Sequence, residues 1–579
     1  MMHLVAQALL AICCLRQIPT PTSDYELPQL YTMPSDRVFE YAHNLSEEII
    51  ADLDRVGANP EPASFENTIL PLDRIFYKQA SAECACRHLA NDNTSEEVFR
   101  YAWMEIVNSI GSCNRDVYRR VRIVILSLPK GDEKHRVALA CEALLRHHCL
   151  ALSLWEASRF RELQERIFAI REAAIAPGVT EFLQKHNDFA CRTLSEACPG
   201  AHWSINLSCA GTFEEIESAL MSMSETFKNI GLTRFQGVPG VDSEAWDWCD
   251  YQQSVTSRLS SLHDNRWELK DVVWNGLFFV VEKLYGLRAQ QQSDIHVLHS
   301  DVMVFELLEE DGTPLGLLFL DLITRPGKAV SVSNIPLVYR STDSNMKRAA
   351  ATITMSLPSP SHRLTIIQVF TLFHEFGHAL HCLFSDTKYF LLSSGMSPLD
   401  WVEFPSHLHE MWATDSQVLH SIDPSLTDSD VRTIQDEFRV LVAIDKFYSF
   451  YNAIRTLYWN RISPAPENFE EFSRSLQERY GLGLLCPSER ILGPLFLVDP
   501  NLTSPEYYGY AYSWRIARSA QEWVISNGGL CREVGEQLRR KVLSKGISVP
   551  YENMTDLFYD THRHVALLED LGQLSVHLS

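Results

Sequence analysis

The sequence predicts a mainly α protein with a minor β-sheet. Apolar residues recur every three or four positions from Pro34 to about Pro199, and the same helical spacing returns from Thr365 onwards. Only one stretch alternates as strands do. With 579 residues, of which 46% are hydrophobic and 22% charged, the chain can form more than one domain with a substantial core.

Start and stop signals divide the helical regions. Ser35 can cap a helix that runs towards Gly57, and Gly131-Asp132 precedes a long one that continues to Ala176. Thr212-Phe-Glu-Glu is typical of another helix start. In the second half we expect four further helices in addition to the one that contains residues 372–384: about Asp400 to His420, Asp428 to Leu457, Glu467 to Tyr480, and from Ser504 to near Gly528.

The strand signal lies between these helical regions. Val302–Leu308 and Leu315–Leu322 flank the turn sequence Glu310-Asp-Gly-Thr, which predicts an antiparallel hairpin. A short sheet at this place in the chain can offer an edge strand to an extended peptide. A purely structural hairpin is the alternative.

Charge and cysteine usage limit the function classes. The 51 basic and 74 acidic residues give a net charge of −23, which argues against a nucleic-acid-binding surface and favours cationic ligands such as basic peptides. The 14 cysteines are scattered without a paired Cys-x-x-Cys frame, so a reducing compartment is favoured.

The first 20 residues form a possible targeting segment. Met1 to Pro19 is apolar, and the chain carries no acidic residue before Asp24. This composition fits either a secretory or a mitochondrial leader. Since no other stretch reaches about 18 uninterrupted apolar residues, we expect no membrane span.

The segment Leu372–Phe384 contains a His-Glu-x-x-His set in an apolar surround. On a helix, His374 and His378 project from the same face and can bind one ion, with Glu375 one step round. Two imidazoles suit a single tetrahedral Zn²⁺, and a neighbouring carboxylate can act as general base in peptide hydrolysis. A core helix with stray histidines is the alternative interpretation.

A zinc peptidase requires a third protein ligand. His381 lies about 10 Å along the axis from His374, too far to share its ion, so we expect it to pack or to act as an outer neighbour. The spacing of a third histidine typical of metzincins is missing. A carboxylate is the remaining choice, and the candidates are Asp386, Asp400, Glu403, Glu410 and Asp415. Glu403 is favoured because His407 and Glu410 share its helix face.

These residues resemble the thimet oligopeptidase family of zinc metallopeptidases. The resemblance rests on His374-Glu-Phe-Gly-His-Ala-Leu-His, on a glutamate 29 residues after His374 in Asp400-Trp-Val-Glu-Phe-Pro-Ser, and on Tyr507-Tyr-Gly-Tyr510. It covers about Trp246 to Trp523. Leu372-Phe-His-Glu, Lys388-Tyr and Trp412-Ala-Thr-Asp are most similar to the mitochondrial intermediate peptidase branch.

The resemblance implies roles for individual residues. His374, His378 and Glu403 would bind one zinc ion, and Glu375 would be the general base. Tyr510, and less firmly Tyr507, would donate hydrogen bonds to the oxyanion. Without the resemblance, the tyrosines at positions 507, 508, 510 and 512 indicate only a core or interface stripe.

The resemblance also implies a shape and a substrate. Two helical halves would enclose a deep substrate channel, with a small antiparallel sheet near the zinc site. We expect an N-terminal helical domain over residues 30–235 and a catalytic domain over 236–579. The expected activity is that of a monomeric endopeptidase that removes an octapeptide-type segment from imported precursors in the mitochondrial matrix. A cytosolic oligopeptide-degrading enzyme is the alternative, and a catalytically impaired peptide-binding homologue is an alternative of another class.

Some segments depart from the family pattern. The glycine loop expected before the double tyrosine is replaced by Phe496-Leu-Val-Asp-Pro-Asn-Leu-Thr-Ser, and His407 stands where glutamine is usual. The segment after Gly327-Lys lacks the Gly-His-Ala sequence of the cytosolic oligopeptidases. These departures bear on specificity and rate, and leave the metal ligands in place.

Overall fold

The structure is a computed structural model of the chain. It describes residues 35–90, 115–156, 212–234, 265–295, 297–326, 332–341, 348–459 and 507–558, with a few isolated positions between them. The predicted targeting segment, the helix expected beyond residue 156, Trp246 and the loop Phe496–Ser504 lie outside the described residues.

The described residues form two compact units. One contains residues up to Cys149 together with Leu287–Pro360 and Cys382–Gly395, and the other contains the remainder of the chain from Leu150. The predicted domain boundary at residues 235 and 236 lies outside the described residues, so that division stays a prediction.

Helices of the first unit carry the expected apolar spacing. On α1, Val38, Ala42, Leu45, Ile49 and Leu53 are all buried, which gives the helix a single apolar face. The bounds of the four helices are α1 Ser35–Gly57, α2 Leu70–Ala90 (entered through a π-helical turn, Phe65–Ile69), α3 Arg115–Ser127 and α4 Glu133–Glu156.

A buried carboxylate fixes α2 within this unit. Asp73 accepts hydrogen bonds from the backbone N–H groups of Phe390 and Leu391 at 3.1 and 2.7 Å. Both residues lie in the short 3₁₀ turn Phe390–Leu392, which a second one, Ser394–Met396, follows. A fully buried aspartate is thus satisfied by two donors.

A five-stranded sheet completes the first unit. Its strands are β2 Arg288–Gln292, β3 Met303–Leu308, β4 Pro314–Ile323, β5 Ser333–Val338 and β6 Ala349–Leu357. They lie in the order β2-β3-β4-β6-β5. The predicted hairpin is confirmed as β3 and β4, with Gly312 at φ 86° in its turn. The sheet is mixed rather than wholly antiparallel, because the chain passes from β4 to the edge strand β5 and returns beside β4 as the parallel strand β6.

Where the structure describes it, the second unit is helical apart from a two-stranded antiparallel pair, β1 Trp267–Glu268 and β7 Arg363–Leu364. Its first helix, α5 Phe213–Arg234, begins as predicted, since the Thr212 hydroxyl and the Glu215 side chain cap each other's backbone N–H. The others are α6 Phe279–Tyr285 (preceded by Leu269–Asp271 and the π-helical Val272–Phe278), α7 Ile366–Phe384, α8 Leu399–His409, α9 Ser416–Ile422, α10 Asp428–Trp459, α11 Tyr508–Ser526, α12 Arg532–Leu538 (followed by the π-helical Arg539–Leu543) and α13 Tyr551–Thr555.

The mainly α prediction is confirmed. The helix predicted from Asp400 to His420 is interrupted by a 3₁₀ segment, Glu410–Thr414, after which Asp415 caps α9. Among the described residues, none of the helices combines the length and hydropathy that crossing a bilayer requires.

Candidate metal centre

Helix α7 carries the His-Glu-x-x-His residues. It starts with a reciprocal cap, in which Gln368 N–H donates to the Thr365 hydroxyl and Thr365 N–H donates to Gln368 Oε1. Its apolar face is fully buried through Leu372, Phe373, Phe376, Ala379 and Leu380. A helix packed this firmly holds the polar residues on its other face in fixed positions.

Helix α8 lies unusually close to α7 at Gly377. A Cβ atom placed on this glycine would lie 2.4 Å from the Pro405 carbonyl oxygen and 2.7 Å from Ser406 Cα. Only a residue without a side chain permits that approach. The glycine between the two histidines thus allows α8 to bring Glu403 opposite His374 and His378.

The side chains of these three residues converge. Glu403 Oε2 lies 3.3 Å from His374 Nε2 and 3.2 Å from His378 Nε2. Tetrahedral zinc with bonds of about 2.0–2.1 Å places its ligand atoms about 3.3–3.4 Å apart. These two separations match that tetrahedral edge, and the three ligand atoms all lie within 4.8 Å of one another, so two imidazoles and one carboxylate could hold a zinc ion.

A second group, His374, His407 and Glu410, meets on the far side of the His374 ring. Glu410 Oε1 lies 2.8 Å from His374 Nδ1 and 2.7 Å from His407 Nδ1. These separations are hydrogen-bond lengths and are shorter than a zinc tetrahedron allows. Although the donor types of this group suit a metal, its spacing therefore favours a hydrogen-bonded support for His374.

The pKa values of His374 and Glu403 reflect how closely these two residues are paired. Burial alone would lower the pKa of His374, but its hydrogen bonds with Glu403 and Glu410 raise it to about 10. Burial likewise opposes ionisation of Glu403, yet the charge of His378 and the hydrogen bond with His374 hold its pKa well below the usual range. Binding of a divalent cation between His374 and Glu403 would therefore release a proton.

Two tyrosines lie next to this cluster, Tyr510 on α11 and Tyr507 at the N-cap of that helix. The rings of Tyr507 and Tyr510 are 5.1 Å apart. Burial, followed by the charges of Glu403 and Tyr507 and then that of Glu375, raises the pKa of Tyr510. The phenol therefore stays protonated at neutral pH and remains a hydrogen-bond donor beside two carboxylates.

Helix α11 is held against α8 at two points. The Tyr508 hydroxyl donates to Asp400 Oδ2 at 3.1 Å, and Gln521 Nε2 donates to the His407 carbonyl at 2.7 Å. All four residues are buried. These bonds fix the position of Tyr510 relative to the carboxylate of Glu403.

The structure gives the other candidate ligands different partners. Asp400 accepts from Tyr508, Asp415 accepts from the backbone N–H groups of Gln417 and Val418, and Asp386 pairs with Arg340. His381 is buried and belongs to neither metal-ligating group of the described residues. Burial, together with the nearby His378 and His409, lowers the pKa of His381 to about 3.

Sequence reasoning missed Lys446 and Gln521. Both are buried beside the cluster, Lys446 on α10 and Gln521 on α11. Lys446 stands in Ala443-Ile-Asp-Lys446-Phe, where a lysine flanked by apolar residues is a weak signal of a buried charge. No sequence spacing links either residue to α8.

Two imidazoles and a carboxylate that could hold a metal ion, with the carboxylate of Glu375 next to His374 in the chain, are the residue types that a metallopeptidase uses. The profile of peptidase family M3 matches residues 209–570, well over half of the chain. The chain belongs to this family of metallopeptidases.

Curated relatives agree with the family. The chain is 32% identical over 342 residues to oligopeptidase A and 27% identical over 335 residues to dipeptidyl carboxypeptidase, both of Escherichia coli. These matches cover 55% and 54% of this chain and 49% of each relative. Mitochondrial intermediate peptidase of Schizophyllum commune is 25% identical over 329 residues, or 47% of this chain and 41% of that protein. The chain therefore spans about half the length of the curated relatives that it matches.

A solved structure shares the fold. A protein described as an oligoendopeptidase F from Bacillus anthracis superposes with a TM-score of 0.50 at 12% identity. The alignment covers 91% of this chain and 94% of that protein. At such identity the likeness concerns the fold alone.

Proposed function

We propose that the chain is a zinc-dependent endopeptidase that cleaves short unfolded peptides. The observation that carries this proposal is the convergence of His374 Nε2, His378 Nε2 and Glu403 Oε2 at tetrahedral spacing. One zinc ion bound there would supply a Lewis acid for peptide hydrolysis. Membership of a metallopeptidase family supports the same reaction class.

The chain's own residues supply the proton chemistry. Glu375 follows His374 on α7 and is buried, which supports a role as the general base that accepts a proton from the attacking water and passes it to the leaving amine. Tyr510 would donate its hydroxyl hydrogen to the oxyanion as charge develops on it. Tyr507, whose ring lies 5.1 Å from that of Tyr510, is the second candidate for this donor.

The identity of the substrate is a more specific proposal than the reaction class. Removal of an octapeptide-type segment from imported precursor proteins in the mitochondrial matrix is supported by the similarity to two fungal mitochondrial intermediate peptidases, at 25% and 27% identity. The net charge of −23 suits basic precursor segments. Cytosolic degradation of oligopeptides is the second candidate, and the similarity to oligopeptidase A and dipeptidyl carboxypeptidase favours it.

The reaction class is tested with an internally quenched fluorescent peptide of about ten residues. We expect cleavage by the zinc-loaded protein, loss of cleavage after chelation, and recovery on adding one equivalent of zinc. Glu375→Gln should bind zinc and peptide but reduce kcat by about 10²–10⁴-fold. Native protein that binds the labelled peptide without zinc-dependent cleavage would identify a catalytically impaired peptide-binding homologue instead.

The precursor substrate requires a separate experiment. A basic precursor segment with an octapeptide-type extension is incubated with the enzyme beside a neutral oligopeptide of equal length, and the products are identified by mass spectrometry. Removal of the extension as one piece supports processing, whereas cleavage of both peptides at several bonds supports general oligopeptide turnover. Import of the tagged chain into isolated mitochondria separates the matrix from the cytoplasm as its location.

A further inference from the structure

A groove of about 480 Å³ lies between α1 and α2 of the first unit. Each helix contributes one face to it, because the lining residues recur at three and four positions along both helices. They include Asp52, Arg55 and Val56 on α1 and Arg74, Ile75 and Lys78 on α2. Small-molecule sites have volumes of about 300–1,000 Å³, so the groove is large enough for a small organic ligand.

The groove carries more positive than negative charge. Arg55, Arg74 and Lys78 line it together with the carboxylate of Asp52. In a chain with a net charge of −23, the sign of the local charge is thus reversed. A groove that concentrates cations favours an anionic ligand.

Two of these cations have partners that a ligand can replace. Arg55 pairs with Asp52 on the same helix, and Lys78 pairs with Glu48 across the two helices. In each pair one side chain is more than half exposed. Exposed ion pairs are weak because water and salt screen them. An anion with several charges can therefore compete for Arg55 and Lys78.

A buried arginine of α3 lies behind one end of the groove. Arg120 is 8% exposed, and its guanidinium donates to the carbonyl oxygens of Asn59 and Glu61 at 2.8 and 2.9 Å and to Asn67 Oδ1 at 2.9 Å. Both asparagines line the groove. Among the described residues, Arg120 Nε has no hydrogen-bond partner and no carboxylate pairs with this guanidinium. Since a buried charge is usually paired, Arg120 adds a positive charge that an anion in the groove would compensate.

The base of the groove is apolar. Val56 and Ile75 are each 5% exposed, and the ring of Pro71 lies beside them in the lining. An inorganic anion would make no use of this surface. Apolar walls with a few charged groups are typical of sites for organic ligands.

We propose that the groove binds a small organic anion in which two or more phosphate groups are joined to an apolar ring, the chemistry of a nucleoside diphosphate. Guanidinium groups bind phosphate oxygens through paired hydrogen bonds, which suits Arg55 and Arg74, and Lys78 adds a third charge. The ring would pack on Val56, Pro71 and Ile75. This site belongs to the first unit, whereas the zinc ligands belong to the second, so the proposal does not depend on peptidase activity.

The test is isothermal titration calorimetry of the zinc-loaded full chain with ADP, pyrophosphate and adenosine. We expect one equivalent of ADP to bind, pyrophosphate to bind more weakly, and adenosine to show no binding. Arg74→Gln should weaken ADP binding by about 10–100-fold, because a hydrogen bond to a charged group is lost. Arg74 is exposed, so the variant should fold, and circular dichroism checks this.

Arg37→Gln is the matched control, since Arg37 is another exposed arginine and lies about 27 Å along α1 from Arg55. Its affinity for ADP should equal that of the native protein. ADP that binds equally well to the Arg74→Gln, Lys78→Gln double variant would be bound elsewhere, for example at the metal, and would overturn the proposal. Pyrophosphate that binds as tightly as ADP would overturn the assignment of an organic ligand. An acidic peptide that displaces ADP and binds more tightly would identify a peptide site instead.

Discussion

Two buried lysines lie in opposite kinds of charged cluster. In the first unit, Lys328 Nζ has four oxygen acceptors between 2.6 and 3.1 Å, from the carboxylate and carbonyl of Asp321 and the carbonyls of Ile323 and Met355. Arg325 binds the same carboxylate with two nitrogens, at 2.7 and 3.1 Å. Each charge in this cluster has close partners within the fold.

In the second unit, Lys446 lies 3.5 Å from Glu410, which is bonded closely to His374 and His407 at 2.8 and 2.7 Å. Glu403, in contrast, faces two imidazoles at 3.2 and 3.3 Å, and these two separations are longer than strong charge-assisted hydrogen bonds of about 2.7–2.9 Å. The carboxylate and imidazoles are held near one another at a distance that suits a common ion better than direct pairing.

The comparison shows how burial of charge distinguishes structure from function. In a cluster such as that of Asp321, where the carboxylate has close bonds to both cations, no coordination position is left for a ligand, and removal of the carboxylate leaves buried charges without a partner. A cluster whose donors converge at longer distance keeps binding capacity. The two should therefore respond differently to equivalent substitutions.

The largest effect on activity is expected for Glu403→Gln in the cluster of His374, His378 and Glu403. The amide cannot supply an anionic ligand, so zinc content should fall from one equivalent to near zero and kcat by about 10³-fold or more, since metal catalysis supplies several kcal/mol. Zinc is measured by atomic emission after dialysis, and far-UV circular dichroism checks folding. Retained stoichiometric zinc would transfer the ligand role to Glu410.

Asp321→Asn makes the equivalent change in the cluster of Asp321, Arg325 and Lys328. Lys328 and Arg325 would lose their shared carboxylate and remain buried, which should cost about 3–5 kcal/mol of unfolding free energy. Urea denaturation measures the change. Glu268→Gln, which breaks the exposed pair with Arg363, is the control and should cost less than about 1 kcal/mol.

Zinc content separates the two clusters further. Folded Asp321→Asn protein should still bind one equivalent of zinc. If its stability were unchanged, or if its zinc were lost while the fold was intact, the division into a structural and a binding cluster would be wrong.

Tyr510→Phe tests whether the phenol beside His374, His378 and Glu403 donates a hydrogen bond to the oxyanion. Loss of one donor to the oxyanion should lower kcat by about 10²-fold, or about 3 kcal/mol, while zinc content stays at one equivalent. Steady-state kinetics with the fluorescent peptide measure the change. Tyr507→Phe should have a smaller effect, and equal effects would assign the donor role to both phenols.

Much of the fold could be predicted because its signals are local. The capping pair at Thr212, the hairpin turn at Gly312 and the periodicity of α1 each lie within a few residues of the structure that they specify. The parallel pairing of β4 with β6 could not be predicted in this way, because it depends on where the chain returns after β5. The long separation of paired strands leaves no local signal.

Some residues of the candidate site could likewise be predicted from local sequence, and others could not. His374 and His378 follow from their spacing on one helix, and Glu403 required the choice among five carboxylates. The contact of Lys446 with Glu410 joins residues 36 positions apart on different helices, and the bond from Gln521 to His407 spans 114. Such contacts arise from helix packing, which the periodicity of each helix does not determine.

Gly377→Ala tests whether helix packing sets the separation of the metal ligands. The new methyl group would lie 2.4 Å from the Pro405 carbonyl oxygen, so α7 and α8 must move apart by about 1 Å to reach ordinary contact. Overpacking of this kind costs about 1–3 kcal/mol of unfolding free energy, partly offset by about 1 kcal/mol from the better helix propensity of alanine.

The same movement would affect zinc binding, because the histidines lie on α7 and Glu403 lies on α8. Their separations of 3.2 and 3.3 Å would increase beyond the tetrahedral edge, so zinc affinity should fall by more than the small loss of stability explains. Gly276→Ala is the control, since its methyl group would meet the flexible end of Ile422 at 3.0 Å rather than a backbone. If both variants bind zinc as the native protein does, the close approach at Gly377 serves packing alone, and the spacing of the ligands is set by their own side chains.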